Sequence, residues 1–320
     1  MVCLQYLGFS TVFPEQTQAN EDTTYATVAK KLEQNKNYFS LSNESTFEQT
    51  NPINSSTSYI LLDLDTGDVL TQHNALQQVP IASLTKVMTA IVALDLTTPE
   101  TLFTVSDHAS SIEPTKLWLI PGEQLSLHEL LDGLLLVSAN DAAEVIKEGI
   151  DQLYGEEIFI NAMNEKAKQI GMHNTSFANA QGFDDARNYS SAADLAILTH
   201  YVMNHYPLII ELSEKEFGYL PENKYHRAYY YNNWNGLLGV YPEAKGLKIG
   251  NTDDAGKTTI VTSSRSGKNL AAIVLGSPNI TARDLWAAQL LDLGYQETLG
   301  LDTVAITKQR LYSKYQTWNN

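Results

Sequence analysis

The sequence contains a serine and a lysine, three residues apart, whose types and spacing suit nucleophilic catalysis. Ser83 and Lys86 lie in the segment Ala82-Ser83-Leu84-Thr85-Lys86, which holds the only Ser-x-x-Lys of the chain. A serine hydroxyl needs a neighbouring base to act as a nucleophile at neutral pH. A lysine amine can be that base if burial or a second cation lowers its pKa. The pair therefore indicates acyl transfer through a covalent intermediate on Ser83.

The same pair also has an ordinary structural interpretation. Apolar residues follow at helical spacing (Val87, Met88, Ile91), so the pattern predicts a helix that begins near Ser83. Serine is a common helix N-cap, and a lysine in the first turn usually faces solvent. Residues i and i+3 of a helix share one face, so Ser83 and Lys86 are expected side by side in either case. The choice between the two interpretations depends on companion motifs.

Two companion motifs follow along the chain. Ser138-Ala139-Asn140 lies between two predicted apolar helices, and Lys248-Ile249-Gly250 lies in a predicted short strand. Each motif is weak alone. Ser138 and Asn140 are ordinary helix caps, and the Ser-x-Asn pattern recurs at Ser277-Pro278-Asn279. Together, in this order and in these structural contexts, the three motifs are a strong signal of serine acyl-transfer chemistry.

With these motifs, the chain resembles the penicillin-recognising serine hydrolases. It is most similar to the low-molecular-mass D-alanyl-D-alanine carboxypeptidases of bacterial cell walls, the peptidase S11 family, over about residues 58–297. The resemblance implies an α/β (α+β) fold of the β-lactamase/transpeptidase type. It also implies an antiparallel β-sheet flanked by helices, with the active site between the sheet and a helical subdomain.

The resemblance further implies a role for each motif residue. Ser83 is expected to be the acylated nucleophile, Lys86 its general base and Ser138 a proton relay. Asn140 is expected to hold the substrate amide. Lys248 is expected to attract the terminal carboxylate of the substrate and to help keep Lys86 neutral. This chemistry needs no metal or cofactor.

The strand after Lys248 is expected to line the substrate site with Ile249, Gly250, Asn251 and Thr252. By resemblance, the backbone N–H groups of Ser83 and Asn251 would form the oxyanion hole. Ile249 departs from the family pattern, which has Thr or Ser there to help bind the carboxylate. A missing hydrogen bond to a charged group costs about 1.5–3 kcal/mol, so carboxypeptidase activity is less strongly indicated than acyl-enzyme formation. Thr252 is a candidate substitute for the missing hydroxyl.

The resemblance indicates a serine-type D-Ala-D-Ala carboxypeptidase that acts on peptidoglycan pentapeptides ending in D-Ala-D-Ala. β-Lactam antibiotics are expected as covalent inhibitors, the chain is expected to be a monomer, and its location is expected to be extracytoplasmic. Three alternatives stay open: a peptidoglycan DD-endopeptidase, a β-lactamase and a non-catalytic peptidoglycan-binding homologue. The loop of residues 175–185 contains no glutamate to serve as a deacylation base, which counts against the β-lactamase.

The composition excludes several other classes of function. A net charge of −16 over 320 residues argues against binding to nucleic acid or to anionic membrane surfaces. The single cysteine, Cys3, excludes an internal disulfide framework and a cysteine-based zinc site. The sequence has no apolar run of about 18 residues, so it predicts no membrane-spanning helix.

Periodicity and turn residues predict the elements that must position these motifs. They are, in chain order, a β-hairpin (58–64 and 69–71), a helix from 83 to about 95, irregular chain over 97–123, a capping box at 126–129 followed by a buried helix, a helix after 140, a helix over 158–170, a helix beginning near 190, a strand at 246–252, a β-hairpin (258–263 and 269–275) and a last helix over 282–293 ending before Gly294.

The chain divides into three predicted segments. Residues 1–57 are interpreted as a degenerate signal sequence followed by a polar tether, because residues 20–57 are rich in Asn, Gln, Ser, Thr and Glu. Residues 58–297 are expected to form the catalytic domain. Residues 298–320 are expected to be a short C-terminal tail.

Overall fold

The fold was analysed in a computed structural model of the chain, which describes residues 56–319. Its centre is a five-stranded antiparallel sheet in the order β2-β1-β9-β8-β7. The strands of this sheet are β1 (Ser58–Asp63), β2 (Val69–His73), β7 (Ala244–Thr252), β8 (Gly256–Arg265) and β9 (Lys268–Ser277). Both predicted hairpins and the predicted lysine-bearing strand are therefore confirmed, and that strand, β7, lies at an edge of the sheet.

Strand β1, which lies between β2 and the central strand β9, is buried along its whole length because helices cover both faces of the sheet. Ile60 and Leu62 point into a large core on one face, and Tyr59 and Leu61 point into a second core on the other. Successive side chains of a strand point to opposite faces, which explains this alternation. The α/β (α+β) prediction, with an antiparallel sheet flanked by helices, is confirmed.

Most helices contribute to the larger core, and two close the opposite face of the sheet. They are α1 (Thr85–Leu96), α2 (Asp107–Ser111), α3 (Leu127–Leu136), α4 (Asn140–Tyr154), α5 (Ile158–Gln169), α6 (Ala192–His205), α7 (Pro207–Ser213), α8 (Ile280–Leu299) and α9 (Lys308–Gln316). Helix α1 follows a 3-10 turn, Ala82–Leu84, and α9 is followed by another, Thr317–Asn319. The remaining strands form the two-stranded sheets β3 (Leu102–Thr104) with β4 (Gln124–Ser126) and β5 (Phe217–Leu220) with β6 (Tyr229–Asn232).

The structure corrects two of the predicted elements. The segment 97–123 is not wholly irregular, since it contains β3 and α2. The last predicted helix does not end at Gly294, because α8 continues to Leu299. Gly294 packs against the sheet so closely that a β-carbon there would lie 2.6 Å from a methyl carbon of Leu270. It is therefore a packing glycine and not a helix terminator.

No helix among residues 56–319 combines the length and the apolar character needed to span a membrane. The predicted signal sequence and almost all of the predicted tether lie outside the described residues.

Candidate active site

Ser83 lies in the 3-10 turn Ala82–Leu84, immediately before helix α1. Ala82 has a φ of 51°, in the left-handed region that residues with a β-carbon disfavour. The turn is confined on two sides by glycines. A β-carbon on Gly182 would lie 2.0 Å from the Ala82 carbonyl oxygen, and one on Gly250 would lie 3.0 Å from the Ser83 nitrogen. The backbone around the serine is thus fixed by contacts that only glycine permits.

Lys86 is fully buried, and its Nζ contacts three oxygen atoms. Nζ lies 2.9 Å from Ser83 Oγ, 2.7 Å from Asn140 Oδ1 and 2.7 Å from the carbonyl oxygen of Gln181. The amide and carbonyl oxygens can only accept hydrogen bonds, so they take two N–H donors of the amine. In a neutral lysine the remaining position is a lone pair, which faces the Ser83 hydroxyl. The contacts are those required of a general base.

The surroundings of Lys86 favour its neutral form. Burial, and to a lesser extent the positive charge of Lys248, hold the pKa of Lys86 well below its ordinary value, while Asp141 opposes the shift. A larger fraction of the amine is therefore unprotonated near neutral pH than in an exposed lysine.

Ser138 and Asn140 lie at the junction of α3 and α4, opposite the Ser83 turn. Ser138 has a φ of 66°, and its buried Oγ has no hydrogen-bond partner within residues 56–319. The Asn140 N–H donates to the Thr115 carbonyl oxygen at 2.8 Å. The neighbouring Asp141 carboxylate accepts from the Leu117 N–H at 3.0 Å. These bonds attach the segment around Thr115 to the start of α4 and form one wall of the site.

Two buried cations lie on the sheet side of the site. Lys248 is 1% exposed and Arg283, in α8, is also 1% exposed. Lys248 Nζ and Arg283 Nη2 have no hydrogen-bond partner in the described part of the chain, although Arg283 Nε donates to Asp284 Oδ1 at 2.7 Å. Burial and the charge of Arg283 lower the pKa of Lys248 to about 7. Arg283 is ion-paired with Asp284, whereas the Lys248 ammonium has no partner among residues 56–319. An uncompensated buried charge is costly, so this arrangement favours an anionic group near Lys248 Nζ and Arg283 Nη2.

A cavity of about 330 Å³ is lined by Ser83, Ser138 and Arg283, whereas Lys86, Asn140 and Lys248 are not among its lining residues. Of the residues predicted from sequence, those that line it are Ser83, Ser138, Ile249, Gly250 and Asn251. Residues not predicted that also line it are Thr115, Trp234, Ile280, Arg283 and Trp318.

Two of the predicted substrate-binding residues have other contacts. Thr252 does not line the cavity, and its Oγ1 accepts a hydrogen bond from the Ala255 N–H at 3.2 Å in the turn to β8. It is therefore not placed to supply the hydroxyl missing at Ile249. The Asn251 side chain accepts a hydrogen bond from Lys257 Nζ, so what Asn251 offers the cavity is chiefly its backbone.

Three of the site residues that were not predicted show why sequence patterns could not reveal them. Gln181 contributes a backbone carbonyl, which no side-chain pattern could reveal. Arg283 adjoins Asp284 in a helix, a sequence pattern typical of an exposed ion pair. Trp318 lies in the segment interpreted as a tail. The only sequence signal was its aromatic type, which does not indicate a position.

Comparison with known proteins agrees with this site. The sequence model of the D-alanyl-D-alanine carboxypeptidase family matches residues 45–279. The chain is 32% identical over 246 residues to D-alanyl-D-alanine carboxypeptidase DacF of Bacillus subtilis, covering 75% of this chain and 62% of that protein. The chain therefore spans less than two thirds of the length of this relative.

Solved structures share the fold. The Streptomyces K15 DD-transpeptidase has a TM-score of 0.69 and 26% identity, covering 75% of this chain and 97% of that one. Penicillin-binding protein D2 from Listeria monocytogenes, in its ampicillin-bound form, has a TM-score of 0.65 and 29% identity, with the same coverages. The family match includes all three motifs, from Ser83 to Gly250. This chain belongs to the D-alanyl-D-alanine carboxypeptidase family.

Proposed function

We propose that the chain is a serine-type D-Ala-D-Ala carboxypeptidase acting on peptidoglycan stem peptides. One observation carries the proposal: a single cavity is lined both by Ser83, which forms a pair with Lys86 Nζ at 2.9 Å, and by Arg283, whose buried Nη2 has no partner within residues 56–319. Lys248, a second buried cation, does not line the cavity but acts electrostatically together with Arg283. The first pair can acylate, and the cations can bind the carboxylate that ends the substrate. Their combination suits hydrolysis of the last peptide bond of a chain.

The reaction follows from the contacts of Lys86. Lys86 Nζ takes the proton of the Ser83 hydroxyl while Oγ bonds to the carbonyl carbon between the two D-alanines. The C–N bond then breaks, and the proton passes to the amine of the leaving D-alanine, with Ser138 as the relay. Water attacks the ester with Lys86 again as base, which frees the Ser83 hydroxyl. The backbone N–H groups of Ser83 and Asn251 are proposed to hold the oxyanion.

Arg283 accounts for the departure at Ile249. Isoleucine cannot hydrogen-bond the terminal carboxylate, but the unpaired Arg283 Nη2 and Lys248 Nζ are both charged donors. Hydrogen bonds between charged groups are about twice as strong as neutral ones. We therefore propose that Ile249 removes one hydrogen bond to the carboxylate, while the charged donors of Arg283 and Lys248 keep the pocket able to bind it.

β-Lactams are proposed as covalent inhibitors, because their carboxylate and reactive carbonyl have the same relation to each other as the groups of the peptide. The ampicillin-bound Listeria structure is consistent with this. The peptidoglycan substrate lies outside the cytoplasmic membrane, so we propose an extracytoplasmic location. The monomeric state stays a prediction.

Intact-mass spectrometry after incubation with benzylpenicillin tests the proposal. The expected result is one penicillin added per chain, mapped to Ser83, together with release of D-alanine from a D-Ala-D-Ala peptide. Ser83→Ala should lose both. Labelling that persists in Ser83→Ala would contradict the assignment of the nucleophile, and labelling without D-alanine release would favour the endopeptidase or the β-lactamase alternative.

A further inference from the structure

The segment that ends with Trp318 forms part of the cavity wall, although it follows Arg283 by 35 positions in sequence. Helix α9 is docked by a fully buried Leu311 in the second core and by Arg310, which donates to the Val240 carbonyl oxygen at 2.8 Å. Lys314 forms an ion pair with Glu216. The segment is therefore a packed element with contacts to several parts of the fold.

One buried carboxylate links α9 to the substrate-binding cation. Asp284 accepts from Arg283 Nε at 2.7 Å on Oδ1 and from the Tyr315 hydroxyl at 2.8 Å on Oδ2. Because Asp284 is fully buried, both bonds are shielded from water. The orientation of the Arg283 guanidinium thus depends on a hydroxyl supplied by α9.

Trp318 continues this contact into the cavity. Its ring centroid lies 4.8 Å from that of Tyr315, and its carbonyl oxygen accepts from Asn232 Nδ2 at 3.5 Å. The indole Nε1–H is buried and has no acceptor within residues 56–319. Buried donors are usually paired, so an acceptor that arrives with the substrate suits this position.

The cavity lined by Arg283 is therefore also lined by the Trp318 indole ring, Ile280 and Ile249. A terminal carboxylate held by Arg283 and Lys248 fits there, while a peptide continuing past that residue must pass the ring. We propose that Trp318 closes the carboxylate end of the cavity and restricts cleavage to peptides with a free C-terminus, with Tyr315 as a positioning residue for Arg283. This inference rests on the proposed carboxypeptidase activity and adds the structural cause of its exo-specificity.

Two peptides test this inference: one ending in D-Ala-D-Ala, and the same peptide with a glycine added after the last D-Ala. The ratio of kcat/KM for the extended peptide to that for the free one should rise about tenfold or more in Trp318→Ala, since pocket contacts commonly discriminate by 10- to 200-fold. Trp318→Phe should keep most of the discrimination. Gln316→Ala, an exposed change at the end of α9 two residues before Trp318, should leave the ratio unchanged.

Acylation by benzylpenicillin separates failure of this inference from failure of the proposed function. If Trp318→Ala is acylated within about threefold of the wild-type rate but has an unchanged peptide ratio, the role of Trp318 is wrong. If the wild type is acylated but cleaves neither peptide, the carboxypeptidase proposal is wrong. In that case the acylation rates with benzylpenicillin and with its methyl ester replace the peptide measurements. The ratio of the acylation rate with the ester to that with the free acid is expected to rise in Trp318→Ala. A wild type that is not acylated at all overturns both proposals.

Tyr315→Phe tests the positioning role. Loss of the hydroxyl should raise KM for the free-carboxylate peptide about tenfold while kcat changes little, because the affected contact is present before and during the reaction. The extended peptide should be affected much less. Equal effects on both peptides would indicate a merely structural role for this tyrosine.

Discussion

Arg283 places a second positive charge next to Lys248, and each changes what the other can do. Burial, with the charge of Arg283, lowers the pKa of Lys248 to about 7, so close to neutrality this lysine is only partly protonated. The charge of Lys248 in turn helps to hold the pKa of Lys86 below its ordinary value. In the proposed mechanism, substrate binding and activation of the base are therefore coupled through the charges of Arg283 and Lys248.

Arg283→Gln tests this coupling. The kcat/KM for a peptide with a free terminal carboxylate should fall about 10- to 150-fold, corresponding to loss of a charged hydrogen bond of about 1.5–3 kcal/mol. Because Lys248 binds the carboxylate only when protonated, kcat/KM should fall as the pH rises through about 7 in the wild type. Removing the Arg283 charge should raise the pKa of Lys248 and move this decline to higher pH.

Measuring kcat/KM between pH 6 and 10 gives both the size of the loss in Arg283→Gln and the pH at which kcat/KM declines. A C-terminally amidated peptide is the control. An unchanged position of the basic limb in Arg283→Gln would contradict the electrostatic coupling. A loss of equal size on the amidated peptide would contradict the assignment of Arg283 to the carboxylate.

The site residues that belong to short sequence motifs could be predicted from the sequence. Ser83 and Lys86 are three positions apart, and a helical turn suffices to bring them together. Arg283 could not be predicted, because its place in the cavity depends on how α8 packs across strands β8 and β9 of the sheet. The same holds for Trp318, which reaches the site through tertiary packing of α9.

At the scale of elements, the site depends on close approach between the Ser83 turn, the loop containing Gly182 and strand β7. Periodicity predicted β7 and α1, since both carry strong patterns. It missed α9, whose polar sequence buries little besides Leu311. It also misassigned Gly294, because a glycine that permits close packing and one that ends a helix look alike in sequence.

Gly182→Ala and Gly171→Ala form a matched pair that measures the importance of this approach. Both glycines have a φ of 86°, but a β-carbon on Gly171 meets open space, whereas one on Gly182 meets the Ala82 carbonyl oxygen. Gly171→Ala should lose about 1–2 kcal/mol of unfolding free energy from backbone strain alone and keep its acylation rate. Gly182→Ala should lose more, and its rate of acylation by benzylpenicillin should fall about 100-fold, because the nucleophile turn is displaced.

Urea unfolding and stopped-flow acylation measure the two effects. Equal unfolding free energies and equal acylation rates in the two variants would mean that the Ser83 turn tolerates displacement. Gly182 would then matter only for its backbone conformation.

At the scale of the whole molecule, the buried ammonium of Lys248 is expected to lower the stability of the folded protein. In the unfolded chain Lys248 is expected to titrate near its ordinary pKa of 10.5, whereas in the folded protein its pKa is about 7. Between these values the unfolded state binds more protons than the folded state. The free energy of unfolding therefore increases with pH over this interval, by up to about 1.4 kcal/mol per pH unit from this group.

Lys248→Met should consequently be more stable than the wild type at pH 7, and its advantage should shrink toward pH 9. Urea unfolding at several pH values measures the difference. Its activity on free-carboxylate peptides should be largely lost. A variant less stable than the wild type at pH 7 would contradict the cost assigned to the buried charge.

The pairing of β1 with β9 also determines when the protein can become active. This pairing joins Ser58 to Leu275 and Asp63 to Leu270, so the centre of the sheet is made from two ends of the described chain. Contacts between residues so distant in sequence form late and slow folding. Ser83 emerges early during synthesis, but β7 is held in the sheet only through β8 and β9. Until the ribosome has passed about residue 277, a nascent chain carries Ser83, the proposed nucleophile, without the sheet that completes the proposed site.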